Sequence, residues 1–160
     1  MKIRLAGERD LPRIFRMGYD VWNEGETEET HIQMCLNSAK YKKGVWHVLE
    51  NISGNPVCSL ICYKNAFGLP DNCAGIGSVA TLPLERRKGY ASQLVQSVVN
   101  QLIFEKIDSI FLYSEIDPVF YARMGFQALE NHLQKHPPSL CMRLDAAKNG
   151  KETSAAPSYF

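Results

Sequence analysis

The stretch Val79-Ala80-Thr81-Leu82-Pro83-Leu84-Glu85-Arg86-Arg87-Lys88-Gly89-Tyr90-Ala91-Ser92 reads as a strand end, a short basic loop and a helix start. A helix start offers backbone N–H groups without intrahelical acceptors and a partial positive charge, a combination that holds phosphate. Gly89 and Ala91 keep bulk away, so a pyrophosphate can approach the backbone of Tyr90, Ala91 and Ser92. Arg86, Arg87 and Lys88 set three cations at the same place, where they can also meet a ribose phosphate. A solvated basic turn is the plain competing reading of that triplet, and a permissive loop residue that of Gly89. A second glycine pattern, Gly75-Ile76-Gly77-Ser78-Val79-Ala80, fits G-x-G-x-x-A but continues as strand where a dinucleotide fingerprint needs a helix to open. Gly75 and Gly77 are therefore read as a bulge or a close backbone approach.

The elements that must position this loop follow from hydropathic period and turn chemistry. Met1 to Leu5 alternates as a short edge strand, and Asp10-Leu11-Pro12 marks a helix start with Asp10 able to cap. Leu11, Ile14, Phe15, Tyr19 and Trp22 continue it as one amphipathic helix, and a second helix spans about Glu28 to Ser38. Gly44–Glu50 and Val57–Tyr63 flank the Ser53-Gly54-Asn55-Pro56 turn as a hairpin, and a further strand runs from Ala74 to Leu82. Ala91, Leu94, Val95, Val98, Val99 and Leu102 recur with helical period from Lys88 to about Phe104. A strand at Ile110–Tyr113, a short helix at Pro118–Met124, the turn Gly125-Phe126 into the next strand and a final strand at Ser139–Leu144 complete the order. This order predicts an α/β (α+β) fold, a mixed sheet with helices on both faces, in one domain over residues 1–145. The tail from Ala146 to Phe160 is small, polar and charged, and is expected to be disordered.

On these residues the chain resembles the GNAT superfamily of N-acetyltransferases. Arg86-x-x-Gly89-x-Ala91 is similar to that superfamily's (Gln/Arg)-x-x-Gly-x-(Gly/Ala) coenzyme A loop, and Phe120-Tyr121-Ala122-Arg123-Met124-Gly125-Phe126 to its Tyr-x-x-x-Gly-Phe segment. The resemblance covers about Lys2 to Leu144. It implies a mostly antiparallel sheet of six to seven strands with a splayed central pair, and acetyl-CoA as co-substrate with no metal. It further implies that Val79, Ala80 and Thr81 meet the pantetheine arm through backbone groups, one N–H of which would polarise the thioester carbonyl. Tyr121 resembles the family's general acid, against the alternative of a packed aromatic on a short helix. The Asn that many members use to hold the cofactor is replaced within Ser114-Glu115-Ile116-Asp117-Pro118, where Ser114 takes part of that role. Homodimers are common in the superfamily.

The general base stays unassigned between Glu115 and His47, each equally readable as a hydrogen-bonded structural residue. Glu24, Glu26, Glu28 and Glu29 suit either an acidic rim for a cationic amine or a solvated helix start favoured by the dipole. Trp22, Trp46 and Tyr63 suit either a cleft wall or the core.

Composition removes other classes. With a net charge of +1, no bulk field draws the chain to nucleic acid or an anionic membrane, and no basic stripe with interleaved aromatics is present. No apolar run reaches the roughly 18 residues of a membrane span, and no signal peptide is legible, so a cytoplasmic location is expected. Five cysteines without a CxxC pair argue against a disulfide framework and a four-thiolate zinc site. The P-loop pattern and a magnesium carboxylate set are missing as well. The expected partner is thus an amine-bearing acceptor, a small molecule or a protein, in an acetyl transfer. A non-catalytic coenzyme-A-binding module of the same fold is the alternative.

Overall fold

The computed structural model describes residues 1–146 and 155–160. In chain order the strands and helices are β1 (Lys2–Leu5), α1 (Leu11–Met17), α2 (Tyr19–Trp22), α3 (Glu28–Asn37), β2 (Gly44–Glu50), β3 (Pro56–Lys64), β4 (Cys73–Thr81), α4 (Tyr90–Phe104), β5 (Ser109–Ser114), α5 (Val119–Ala122), β6 (Gln127–Ala128) and β7 (Leu140–Asp145). The strands form one seven-stranded sheet in the order β1-β2-β3-β4-β5-β7-β6. Pairing is antiparallel for β1/β2, β5/β7 and β6/β7, and parallel for β4/β5. This is the mixed, mostly antiparallel α/β architecture that the sequence predicts.

The chain divides into two compact units, Met1–Cys62 with Ser78–Val98, and Tyr63–Gly77 with Val99–Phe160. In the first, Ile14, Phe15 and Met17 of α1, Ile32 of α3, Val48 and Leu49 of β2, and Leu94, Val95 and Val98 of α4 are buried, the inward positions that the apolar spacing requires. Arg4 ties β1 down from both sides, donating to Glu50 at 2.6 Å and to Asp10 at 2.6 and 3.1 Å. In the second, Ile110, Phe111 and Leu112 of β5, Cys141 and Met142 of β7, Phe126 and Tyr63 are all nearly without exposure.

Two local expectations change. The single helix expected through Trp22 breaks at Gly18 (φ −103°, ψ 2°), because the Trp22 ring folds back onto it: a Cβ there would stand 2.1 Å from that ring. Asp10 does not cap α1, since its carboxylate is taken by Arg4 and the Gly7 amide. α3 does have a side-chain cap, Thr27, which accepts from the Thr30 amide at 3.2 Å.

Of the tail, residues 147–154, on which part of the expected disorder falls, lie outside the described residues. Residues 155–160 have a place in the second unit. Ala156 and Phe160 are 1% and 4% exposed, and the Ala156 and Ser158 amides donate to the carbonyls of Leu133 and Phe67. The few apolar groups of this segment find preformed apolar walls, which composition alone does not reveal.

Candidate active site

The loop between β4 and α4 lies in the first unit and is shaped by two left-handed residues, Arg87 (φ +62°) and Gly89 (φ +80°). A 3-10 turn at Pro83–Glu85 precedes it, its cap closed by the Arg86 amide on the Pro83 carbonyl. The Gly89 carbonyl accepts the first α-helical bond, from the Gln93 amide at 3.0 Å, so α4 opens at Tyr90 rather than Lys88. The Tyr90, Ala91 and Ser92 amides precede that bond and have no turn of helix before them to receive them. Nothing lies within 4 Å of a Cβ built on Gly89. The space at Gly89 is therefore open, and the helix start that follows it is electropositive.

The three cations differ in what they do. Arg86 turns inward: Nη1 and Nη2 donate to the two Asp20 carboxylate oxygens, each at 2.7 Å, Nη2 to the Met17 carbonyl at 3.2 Å and Nε to the Thr81 carbonyl at 3.0 Å. Four of the five guanidinium N–H donors are thereby spent on the framework, while the side chain stays 38% exposed. Asp20 is 66 residues away in the chain, so the sequence carries no sign of this pair. The Arg86 guanidinium also holds the Asp20 carboxyl below its ordinary value, first through hydrogen bonding and then through charge. Lys88 is exposed and donates to Glu85 at 2.8 Å, one turn away. Arg87 is exposed on the left-handed residue.

β4 leads into this loop. Its parallel ladder with β5 pairs Cys73–Ile76 with Ser109–Leu112, and the register ends at Ile76↔Leu112. Ser78 has φ +47°, so the distortion expected at Gly75 or Gly77 falls one residue later. Val79 is half-buried and Ala80 and Thr81 are buried. The Thr81 hydroxyl donates to the Cys58 thiol at 3.2 Å, and its carbonyl is held by Arg86, which fixes the strand end by both side chain and backbone.

Beside it in the first unit, Trp22 and Trp46 line a pocket together with Phe15, Tyr41, His31 and Ala80. His31 Nε2 lies 3.3 Å from the Phe15 carbonyl and 3.6 Å from the Cys35 thiol, whose pKa burial raises. His47 is buried on β2, opposite Leu5. Of the acidic residues near α3, Glu28 pairs with Arg16 at 2.7 Å, and Glu28 and Glu29 occupy the first turn, where the helix dipole favours them.

Tyr121, Ser114 and Glu115 belong to the second unit. Tyr121 is 7% exposed on α5, edge-on to Phe120 at 4.9 Å and to Phe126 at 6.1 Å between ring centroids. The Met124 and Phe126 amides both donate to its carbonyl, so the Gly125 turn (φ +95°) locks the tyrosine in place. The Ser114 hydroxyl donates to the Ile116 carbonyl at 2.8 Å, which closes the turn after β5. Glu115 accepts from the Tyr159 hydroxyl, a contact that no sequence spacing announces. Tyr63 is fully buried. Among the described residues there is no cluster of three or more His, Cys, Asp or Glu able to hold a metal, and no helix long and apolar enough to cross a membrane.

Comparison with known proteins gives this geometry a family. No curated protein matches the chain. Among solved structures, the GNAT family N-acetyltransferase YhbS from Escherichia coli, in complex with CoA, superimposes with a TM-score of 0.76 at 17% identity, covering 99% of this chain and 89% of that one. The ribosomal-protein-S18-alanine N-acetyltransferase from Escherichia coli gives 0.68 at 15% identity, over 96% and 98% of the two chains. Tetrahymena GCN5 gives 0.66 at 11% identity, over 92% and 97%. At these identities the likeness is one of fold. Residues 2–129 match the family model of the acetyltransferase (GNAT) domain, so the chain belongs to the GNAT acetyltransferases.

Proposed function

We propose that the protein transfers an acetyl group from acetyl-CoA to a primary amine by direct attack. The observation that carries this reading is the open space at the left-handed Gly89, which Arg87 and Lys88 precede and the α4 start at Tyr90, Ala91 and Ser92 follows. Those residues would hold the diphosphate, Val79, Ala80 and Thr81 the pantetheine arm through backbone groups, and Ser114 a further polar contact. Arg86 would serve as a positioning residue, since its hydrogen bonds to Asp20, Met17 and Thr81 hold the framework. Bound acetyl-CoA supplies an activated thioester carbonyl. A backbone N–H of β4 would stabilise the charge that develops on that carbonyl oxygen.

Two proton movements fall to the chain. An alkylamine with a pKa near 10.4 is almost wholly protonated at pH 7, and baring its lone pair costs about 4.6 kcal/mol, so a base or a water chain must serve it. Tyr121 is proposed to return a proton to the departing thiolate from its phenol. The acceptor is an amine on a small molecule or on a protein.

The test is calorimetry of the intact chain with coenzyme A, followed by thioester-dependent thiol release with a panel of amines. Saturable heat and amine-dependent thiol release are expected. No heat at millimolar coenzyme A removes the reading, whereas heat without thiol release from any amine favours a non-catalytic binding module.

A further inference from the structure

The pocket of the first unit borders the same strand end that the Gly89 loop follows. Ser78 and Ala80 line it from β4, and Ile14, Phe15, Tyr41 and Trp46 are among its walls. Those walls are fixed against one another. Ring centroids stand 5.4 Å apart for Phe15 and Tyr41, 5.6 Å for Phe15 and Trp46 and 5.3 Å for Tyr41 and Trp46, so each ring touches the other two. Ile14, Phe15 and Trp46 are 2%, 5% and 8% exposed. The Tyr41 phenol is hydrogen-bonded to the Ser78 side chain, which ties a wall to the strand. Ser78 itself keeps a left-handed backbone (φ +47°) without being glycine, a strain that its surroundings must hold in place. The space left over is about 10 Å3, room for one water- or methyl-sized group.

This inference rests on the acetyl-transfer reading, which sets the diphosphate at the start of α4 and the pantetheine arm along β4. The arm then runs from the loop back past Thr81, Ala80 and Val79, so its sulfur end comes to the stretch from Ser78 to Ala80. A thioester oxygen that accepts from an amide of that stretch stands about 3 Å from the nitrogen. The acyl methyl is only two covalent bonds beyond that oxygen, within reach of a pocket that Ser78 and Ala80 line. A ring-walled, apolar space of one-carbon size suits a methyl. A longer chain cannot enter it without displacing packed rings.

We infer that this pocket receives the methyl of the acetyl group and sets the acyl length at two carbons, with the packed Phe15, Tyr41 and Trp46 rings as the limit. A butyryl chain carries two methylenes more, and overfilling a packed space of this kind weakens binding about ten-fold or more.

Calorimetry of acetyl-CoA, butyryl-CoA and coenzyme A on the full chain and on Trp46→Phe, each checked by circular dichroism, tests this without an acceptor. On the unaltered chain butyryl-CoA should bind at least about ten-fold more weakly than acetyl-CoA. Trp46→Phe takes away part of one wall and should narrow that ratio to about two-fold or less. Should phenylalanine at 46 unfold the protein, Ile14→Val replaces it, with a smaller narrowing in the same direction. Equal affinities of the two thioesters on the unaltered chain, or a ratio that the folded variant leaves unchanged, overturns the inference. Coenzyme A has no acyl group and reports the cofactor site alone. Heat with coenzyme A and equal thioester affinities removes the acyl pocket only, whereas no heat with any of the three removes the acetyl-transfer reading and the acyl pocket with it.

Discussion

Replacing Arg86 with alanine removes four hydrogen bonds at once, and the structure sets what each is worth. The two on Asp20 form a bidentate pair whose side chains are 38% and 43% exposed, and solvent screening leaves such a pair about 0.5–1 kcal/mol. The two on the carbonyls of Met17 and Thr81, residues 0% and 9% exposed, contribute about 1 kcal/mol each. The total is about 2–3 kcal/mol, which in a chain of this length lowers the melting temperature by roughly 5–10 °C. Asp20→Asn should cost only the smaller share, because the carbonyl bonds survive it. The Asp20 carboxyl is depressed below 3.8 in the folded protein, so its contribution is present above that value and is lost as the pH falls through the depressed pKa. The gap in stability between the unaltered chain and Asp20→Asn, followed by urea denaturation, should therefore be full at pH 7 and close below about pH 4. The assay for Arg86→Ala pairs thermal unfolding with the salt dependence of coenzyme A affinity. Reduced stability with an unchanged salt slope is expected. An unchanged melting temperature together with a collapsed, less salt-sensitive affinity would mean that the guanidinium grips phosphate, and would refute its framework role.

Other outcomes follow from the same geometry. Tyr121→Phe should lower kcat by about 100-fold with coenzyme A heat preserved, and equal turnover would remove its role as acid. At Gly89 the backbone has φ +80° and the surroundings are open, so alanine there carries only backbone strain of about 1–2 kcal/mol. Glu adds a negative charge at the same φ. Gly89→Ala should retain measurable coenzyme A binding and Gly89→Glu should abolish it, and equal titration curves for the two would count against the diphosphate site proposed at this loop. Burial pushes the Cys58 and Cys141 thiols up to about 11, Cys62 and Cys73 are also buried, and only Cys35 is half-buried, although burial raises its pKa too. Alkylation of the native protein at pH 8 should label Cys35 first, as read by peptide mass mapping, and prior labelling of Cys58 or Cys141 would contradict that order.

What could be read in advance were features carried by neighbours in the chain. The apolar positions of α4 recur every third or fourth residue, and Leu94, Val95, Val98, Val99 and Leu102 are indeed buried. The hairpin, the strand stopping before Pro83 and the loop with Gly89 at its turn were visible for the same reason: each rests on local sterics. The unread features depend on partners far away in sequence. Nothing around Gly18 shows that Trp22 will lie on it, nothing around Asp10 shows that Arg4 will claim its carboxylate, and a basic triplet looks alike whether its first member faces solvent or Asp20. Gly75 is the intermediate case. A close backbone approach was legible there, but not that the approaching group would be Phe160, 85 residues on.

The two margins of the sheet are β1, four residues long, and β6, only two. Unpaired edges are where foreign strands add on, and such short ones give an incoming strand few hydrogen bonds to begin with. Arg4 further covers the outer margin with charge, bridging Asp10 and Glu50. Strand addition at either margin would therefore start from few hydrogen bonds, a protection against fibrous growth that costs the molecule only a few residues of ladder.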